Sequence, residues 1–309
     1  MPRKVIITGA SGLLGRQVVS AFKQAGWITV GTGFSRVGGE IRKLDVNDIF
    51  AIQHLLDNER PEVLVHCAAE RSPDKVSADP DAAKKLNVQA TSSIAQTCAS
   101  RGTFMIYIST DYVFPGVKGQ APYEVDAPTA PTNLYGQTKL DGEKATLDAA
   151  KEKSVILRVP ILYGSADKNA DSSINALVDA VWKAQQQDAD ISMDNWAQRC
   201  PTNTEDVGRV IKDIAEKYTS DNNGDLPQIL QFSSKDTYTK YEICQIFADI
   251  LGLPLDSMHP NEQGNDPGST TQRPYDTRLS TKALEKLDIP IWTQNFVDWW
   301  KRELHAVRH

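Results

Sequence analysis

Tyr135 and Lys139 stand four residues apart in Tyr135-Gly136-Gln137-Thr138-Lys139. On a helix, that spacing puts both side chains on one face. A free phenol, with a pKa of about 10, is a poor acid or base near neutrality. An adjacent ammonium favours phenolate and lowers that value, so the pair can pass a proton to or from a carbonyl or alcohol oxygen. Thr110 ends the apolar run of Ile108-Ser109-Thr110-Asp111-Tyr112-Val113-Phe114, and its hydroxyl can donate to the same oxygen. Asp111 and Tyr112 fall where a substrate would be held, although Tyr112 also suits plain packing. Tyrosine and lysine at this spacing are common on helices; the pair gains meaning from what precedes it.

What precedes it is a phosphate loop. Thr8-Gly9-Ala10-Ser11-Gly12-Leu13-Leu14-Gly15 follows the β-branched run Lys4–Thr8 and opens a helix over Gly12–Ala25. Gly9 permits a tight turn, Gly12 lets backbone approach a pyrophosphate, and Gly15 lets helix and strand pack closely. Ser11, Leu13 and Leu14 complete the loop. An acid about 20 residues on would receive a ribose 2′-hydroxyl. Here the second strand ends Gly31-Thr32-Gly33-Phe34-Ser35-Arg36, with no acid. Arg36 with Ser35 suits a 2′-phosphate instead, so NADP(H) is the expected cofactor, against the plain alternative of a solvated arginine. Asp45 and Val46, after a weak third strand, suit the adenine edge. Lys139 would also hold the nicotinamide ribose.

The elements that must position these groups alternate. Strands are expected at Lys4–Thr8, Trp27–Thr32, Glu40–Leu44, Glu62–Ala69, Thr103–Ser109 and Ser154–Val159, and helices at Ile49–Leu56, Lys84–Ser100 and Asn133–Lys151 between them. This is the pattern of a Rossmann-type, doubly wound parallel sheet covered on both faces. His66 and Cys67 in the fourth strand read as core residues, with Cys67 and Ala68 at its cofactor end. Arg71 beyond it either approaches a cofactor phosphate or is solvated. After Pro160 the rhythm changes to helices (Ser172–Gln187, Thr204–Tyr218, Lys240–Leu251) separated by polar loops, the largest being 261–271. The expected division is a nucleotide-binding domain over residues 1–160, with elements returning from about 204–234, and a smaller substrate domain mostly over 161–309.

Composition narrows the classes further. The 309 residues carry a net charge of −6, which argues against nucleic acid as main partner. No apolar run approaches the roughly 20 residues of a membrane span, and the first strand is too short for a signal-peptide core. Four scattered cysteines (Cys67, Cys98, Cys200, Cys244) suggest neither a disulfide framework nor a zinc knot, and the five histidines show no metal spacing. The expectation is a cytoplasmic protein without a metal.

The motifs together resemble the extended short-chain dehydrogenase/reductases and, within them, the dTDP-4-dehydrorhamnose reductase (RmlD-like) family. The likeness runs through TGASGLLG, STDYVF, APTNLYGQTKLDGEKA, LRVPILYG and QRPYDTRL. It implies Thr110, Tyr135 and Lys139 as a catalytic set, NADPH reducing a 4-keto nucleotide sugar, and Leu162 near the nicotinamide. A closer likeness, through HCAAERSPD, GTGFSR and MDNWAQRCPT, is to the regulatory β subunits of methionine adenosyltransferase. These share the fold family, bind NADP(H) and partner a catalytic subunit. Arg199 and Arg273, within MDNWAQRCPT and QRPYDTRL, are expected with Asp111 and Tyr112 on the substrate side. The chain opens at its first strand and ends at His309, where the regulatory subunits have a longer docking tail; the short end Lys301–His309 is the candidate docking segment. Trp299 and Trp300 beside it read either as core or as interface anchors. Two functions therefore compete, a partner-binding regulatory subunit and a working keto-reductase, and the closer likeness favours the first.

Overall fold

Runs of β-branched and aliphatic residues become parallel strands because both their faces are covered. In the computed structural model, which describes residues 2–220, 226–265, 268 and 271–305, Val5 and Ile7 point into one core and Ile6 into the other. The strands are β1 (Lys4–Thr8), β2 (Ile28–Gly33), β3 (Arg42–Lys43), β4 (Val63–His66), β5 (Phe104–Thr110), β6 (Ser154–Val159) and β7 (Ile229–Gln231). They form one sheet in the order β7-β6-β5-β4-β1-β2-β3, with every pairing parallel. This is the Rossmann-type order, and its direction reverses between β1 and β4, where such sheets open a ligand crevice.

On one face lie α1 (Leu13–Gln24) and, from much later in the chain, α6 (Thr204–Tyr218). The apolar stripe Val207, Val210, Ile211, Ile214 and Tyr218 joins the α1 residues Leu14, Val18 and Phe22 in a single core. The other face is covered by α2 (Ile49–Glu59) and α3 (Thr91–Arg101), through Ile52, Leu56, Ile94 and Cys98. Beside β5, α4 (Leu134–Ala150) starts at Asn133, whose side chain caps the Gly136 amide at 2.9 Å.

A third core belongs to the residues after Pro160. It gathers α5 (Ala176–Lys183), α7 (Lys240–Leu251) and α8 (Phe296–Glu303) around Tyr163. Trp299 lies 5.0 Å from Tyr163 and Trp300 4.5 Å from Phe247, ring centre to ring centre. Both tryptophans are buried, so the core reading holds for them and the interface-anchor reading does not.

Several features differ from the sequence-based expectations, among them two short parallel strand pairs after Pro160, Leu162–Tyr163 with Thr202–Asn203 and Ile191–Asp194 with Met258–Asn261. The seventh strand, β7, was not anticipated; its three residues are too few to show a period, and its register with β6 (Leu230 opposite Leu157) supplies the pairing. The single helix expected over Lys84–Ser100 is interrupted by a wide π-helical turn, Lys85–Ala90, ahead of α3. Ahead of that turn lie two short proline-started helices, Pro73–Ala78 and Pro80–Lys84. Of the polar loop over 261–271, residues 266, 267, 269 and 270 lie outside the described residues, as do 306–309 of the candidate docking segment. Among the described residues no helix is long and apolar enough to cross a membrane, and no group of three or more metal-ligating side chains occurs.

Candidate functional site

One wall of the crevice is backbone. β1 runs into Gly9 at φ +67°, and a Cβ there would sit 2.9 Å from the Ala68 amide. Gly12 precedes α1, and its N–H bonds the Gly9 carbonyl at 2.9 Å. At Gly15 a Cβ would lie 2.2 Å from that same carbonyl, so only glycine lets the helix close on the turn. Below the turn, Thr8 Oγ1 and His66 Nδ1 are 2.7 Å apart, and His66 Nε2 meets Thr91 Oγ1 at 3.2 Å. Burial pushes the His66 pKa down to about 3, so the ring is neutral and serves as a tie between β1, β4 and α3. At the end of β2, Phe34 is 63% exposed with Ser35 and Arg36 beside it, and no carboxylate follows directly. Asp45 Oδ1 turns to the Asn47 backbone N–H at 2.9 Å.

The opposite wall carries the proton-transfer candidates. Thr110 Oγ1 donates to Asp111 Oδ1 at 3.0 Å and accepts from the Tyr112 N–H at 3.2 Å. Thr277, from the far end of the chain, donates to Asp111 Oδ2 at 2.5 Å. Burial lifts the Asp111 carboxyl to about 6, opposed by the Thr277 bond, the nearby Arg199 charge and Thr110. Burial also pushes the Tyr135 phenol above its ordinary range, opposed by the Thr110 hydroxyl and reinforced by Asp111 and Tyr112. Lys139 is 3% exposed, with Nζ 4.1 Å from the centre of the Tyr107 ring. Burial lowers its pKa to about 7, partly countered by Glu143 and Cys67.

This corrects one expectation. The ammonium rests on the Tyr107 ring, and the Tyr135 phenol is raised, burial being the largest cause, where the pairing with Lys139 predicts it lowered.

Two buried polar clusters hold this wall in place, and neither is among the residues singled out from the sequence. Glu143 of α4 takes Arg158 of β6 in a bidentate pair at 2.9 and 2.7 Å, and accepts from Ser109 of β5 at 2.5 Å. Asn87, on the π-helical turn, accepts from the Glu70 N–H at 2.9 Å and donates to the Glu70 carbonyl at 3.0 Å and to Thr138 at 3.1 Å. It thereby fixes the loop after β4 against α4. An asparagine within an otherwise helical pattern was the available clue.

All the residues expected to bind a dinucleotide or to move a proton line one cleft of about 720 Å³: the Gly9–Gly15 loop positions, Phe34 to Arg36, Asp45, Val46, Cys67, Ala68, Arg71, Thr110, Tyr135, Lys139 and Leu162. Asp111 and Tyr112 line it too. Arg199 and Arg273 are not among the lining residues. Arg199 is buried and bonds the Gln198 and Pro274 carbonyls, and Arg273 pairs with Asp74 at 3.1 Å. Their charges still reach Tyr112, and that of Arg199 reaches Asp111. The cleft also takes in Lys85, Pro160 and Ser173, which sequence reasoning passed over.

A Rossmann-type sheet with a glycine turn at its switch point, facing a Tyr/Lys helix and a strand-end threonine, defines the extended short-chain dehydrogenase/reductase fold. Within it, the family described as the RmlD substrate binding domain matches residues 3–304, and the chain belongs to that family. The mouse methionine adenosyltransferase 2 subunit beta is 41% identical over 287 residues, spanning 93% of this chain and 83% of that protein. A dTDP-4-dehydrorhamnose reductase of Streptomyces griseus is 35% identical over 164 residues, 53% of this chain and 51% of that one. Among solved structures, the dTDP-4-dehydrorhamnose reductase of Bacillus anthracis in complex with NADP superposes with a TM-score of 0.81 at 22% identity, covering 99% of this chain and 100% of that one.

Proposed function

We propose that this chain is a cytoplasmic, NADP(H)-binding protein that acts as the regulatory partner of a methionine adenosyltransferase catalytic subunit. The observation that carries the reading is the 41% identity to the mouse subunit beta, sustained over 93% of the chain. Four free cysteines suit a reducing compartment.

The cofactor assignment rests on the cleft. A Cβ on Gly12 would meet only the Gly9 carbonyl, at 3.1 Å, so backbone there can close on a pyrophosphate. In this reading Gly9, Ser11, Gly12, Leu13, Leu14 and Gly15 hold the pyrophosphate at the start of α1. Phe34, Ser35 and Arg36 hold the phosphorylated adenosine, and Asp45 and Val46 its base edge. Cys67, Ala68 and Arg71 line the middle, Tyr135 and Lys139 hold the second ribose, and Leu162 faces the nicotinamide. We assign residues 1–160, rejoined by about 204–234, to the nucleotide lobe and most of 161–309 to the second lobe.

The second reading, favoured by Thr110, Tyr135 and Lys139 lining the same cleft, is an NADPH-dependent reductase of a 4-keto-6-deoxy nucleotide sugar. NADPH would supply a hydride. Tyr135 would then give its proton to the carbonyl oxygen, which Thr110 helps to hold, with Asp111 and Tyr112 on the substrate side. Arg199 and Arg273 would act there through Asp111 and Tyr112.

Size-exclusion chromatography of the purified chain with a methionine adenosyltransferase catalytic subunit, at micromolar concentration with NADP(H) present, separates the readings. Co-elution is expected. Separate elution overturns the regulatory reading and leaves the reductase.

A further inference from the structure

The segment between the strand Leu162–Tyr163 and α5 is anchored to its own lobe. Ser172 Oγ donates to the Leu162 carbonyl at 2.8 Å, Asn169 to Asp179 at 2.6 Å, and Ser165 Oγ to Glu303 of α8 at 2.9 Å. From that base, two carboxylates reach the nucleotide wall. Asp167 receives both terminal nitrogens of Arg16, each at 2.9 Å. Asp171 receives Arg36 Nη1 at 2.8 and 2.9 Å, while its backbone carbonyl accepts from Arg71 at 2.6 Å. The guanidinium assigned to the 2′-phosphate is therefore already engaged by an internal carboxylate.

We infer that Asp171 tempers the cofactor selectivity of the cleft, as an internal anion that occupies Arg36 and is exchanged for a 2′-phosphate when NADP(H) binds. The inference rests on the reading that Arg36 faces that phosphate. A dianionic phosphate and a carboxylate on one guanidinium repel each other, so the incoming group displaces Asp171. NADPH has to break the pair, whereas NADH, with a plain 2′-hydroxyl, leaves it in place. Asp171 thus weakens NADPH selectively and narrows the preference that Arg36 creates. Arg36 is half exposed, which limits the effect: the pair is worth about a two- to fivefold change in dissociation constant.

The test is calorimetric titration of the full chain with NADPH and with NADH. Asp171→Asn keeps the side-chain volume and the backbone carbonyl that holds Arg71. It should tighten NADPH about two- to fivefold and leave NADH unchanged. In an Arg36→Ala background the same replacement should change neither. Equal shifts for both cofactors would mean that Asp171 only ties the lobes together, and a loss of NADPH affinity would mean that it orients Arg36 for the phosphate; either overturns the exchange. If Arg36→Ala alone leaves NADPH binding intact, the assignment of the 2′-phosphate to Arg36 is what has failed. Unchanged NADH affinity in Asp171→Asn also serves as the control for folding.

Discussion

The wall that carries Tyr135 and Lys139 is pinned by an ion pair with almost no access to water, and that pair can be broken with a change of one atom. Glu143 and Arg158 are each 3% exposed, and the carboxylate also takes the Ser109 hydroxyl while Arg158 reaches the Val125 carbonyl at 3.2 Å and Gln231 at 3.4 Å. Glu143→Gln preserves the shape and leaves a buried guanidinium without its counter-charge. Breaking one partner of such a pair costs about 3–5 kcal/mol. With about 2.1 cal/mol/K of unfolding entropy per residue, each kcal/mol moves the melting midpoint of a chain this long by roughly 1.5 °C, so a drop of about 5–8 °C is expected in scanning calorimetry. The paired replacement Glu143→Leu with Arg158→Met removes both charges and should recover most of that loss, because two desolvated ions are themselves costly. Glu143 also favours the charged form of Lys139, so its loss should move the pH dependence of cofactor affinity to lower pH. If Glu143→Gln melts within about 2 °C of the native chain, or the double replacement is no more stable than the single one, the pair does not hold α4 to the sheet.

Three further outcomes follow from the same wall and its partner. Lys139 has a folded pKa of about 7 against 10.5 for the free side chain. Between those values the unfolded chain binds more protons, so the native chain gains stability as pH rises through the window. Lys139→Met should therefore stabilise most below pH 7, with an advantage that shrinks towards 10.5; urea midpoints across that range that keep a constant gap refute the burial argument. Gly15→Ala puts a methyl 2.2 Å from the Gly9 carbonyl, which should cost about 1–3 kcal/mol and at least about tenfold in NADPH affinity, read by denaturation and titration. Tyr135→Phe, in stopped-flow NADPH oxidation with any keto substrate the chain turns over, should slow the rate by about 10² to 10⁴, and an undiminished rate would identify another acid.

The glycine turn of the cleft was legible in the sequence because its geometry is local: Gly9, Gly12 and Gly15 act on one turn, and Arg36 follows the neighbouring strand. The Tyr135–Lys139 pair was legible for the same reason, since helical spacing places them on one face whatever surrounds them. What could not be read depends on contacts across the chain. Arg36 meets Asp171 over 135 residues of separation, and nothing near either residue marks the other. Lys139 turns to Tyr107, a residue of the neighbouring strand that sequence spacing cannot orient. The helix expected over Lys84–Ser100 breaks because Asn87 leaves the ladder's regular spacing to hold Glu70, a tertiary demand that overrides local propensity. Trp299 and Trp300 are apolar enough for either a core or an interface; only the packing around Tyr163 decides.

The presence of Thr110 beside Tyr135 and Lys139 does not by itself argue for turnover, because hydrogen bonding gives Thr110 a second reason to exist. The Lys139 stem and ammonium fill the space over Tyr107, and the same Tyr107 hydroxyl stands 2.2 Å from where a Cβ on Gly142 would be. Thr110 Oγ1 closes the turn into Asp111 by accepting from the Tyr112 N–H, and it donates to a buried carboxylate that Thr277 also holds from far along the chain. Removing Thr110 leaves the Tyr112 N–H and the Asp111 carboxylate each short of a partner, a cost of about 1–3 kcal/mol. A chain that had stopped reducing anything would still keep Thr110 for stability. The 41% identity to the mouse methionine adenosyltransferase 2 subunit beta, carried over 93% of this chain, has no such second cause in this cleft, and so it weighs more in choosing between the two proposals.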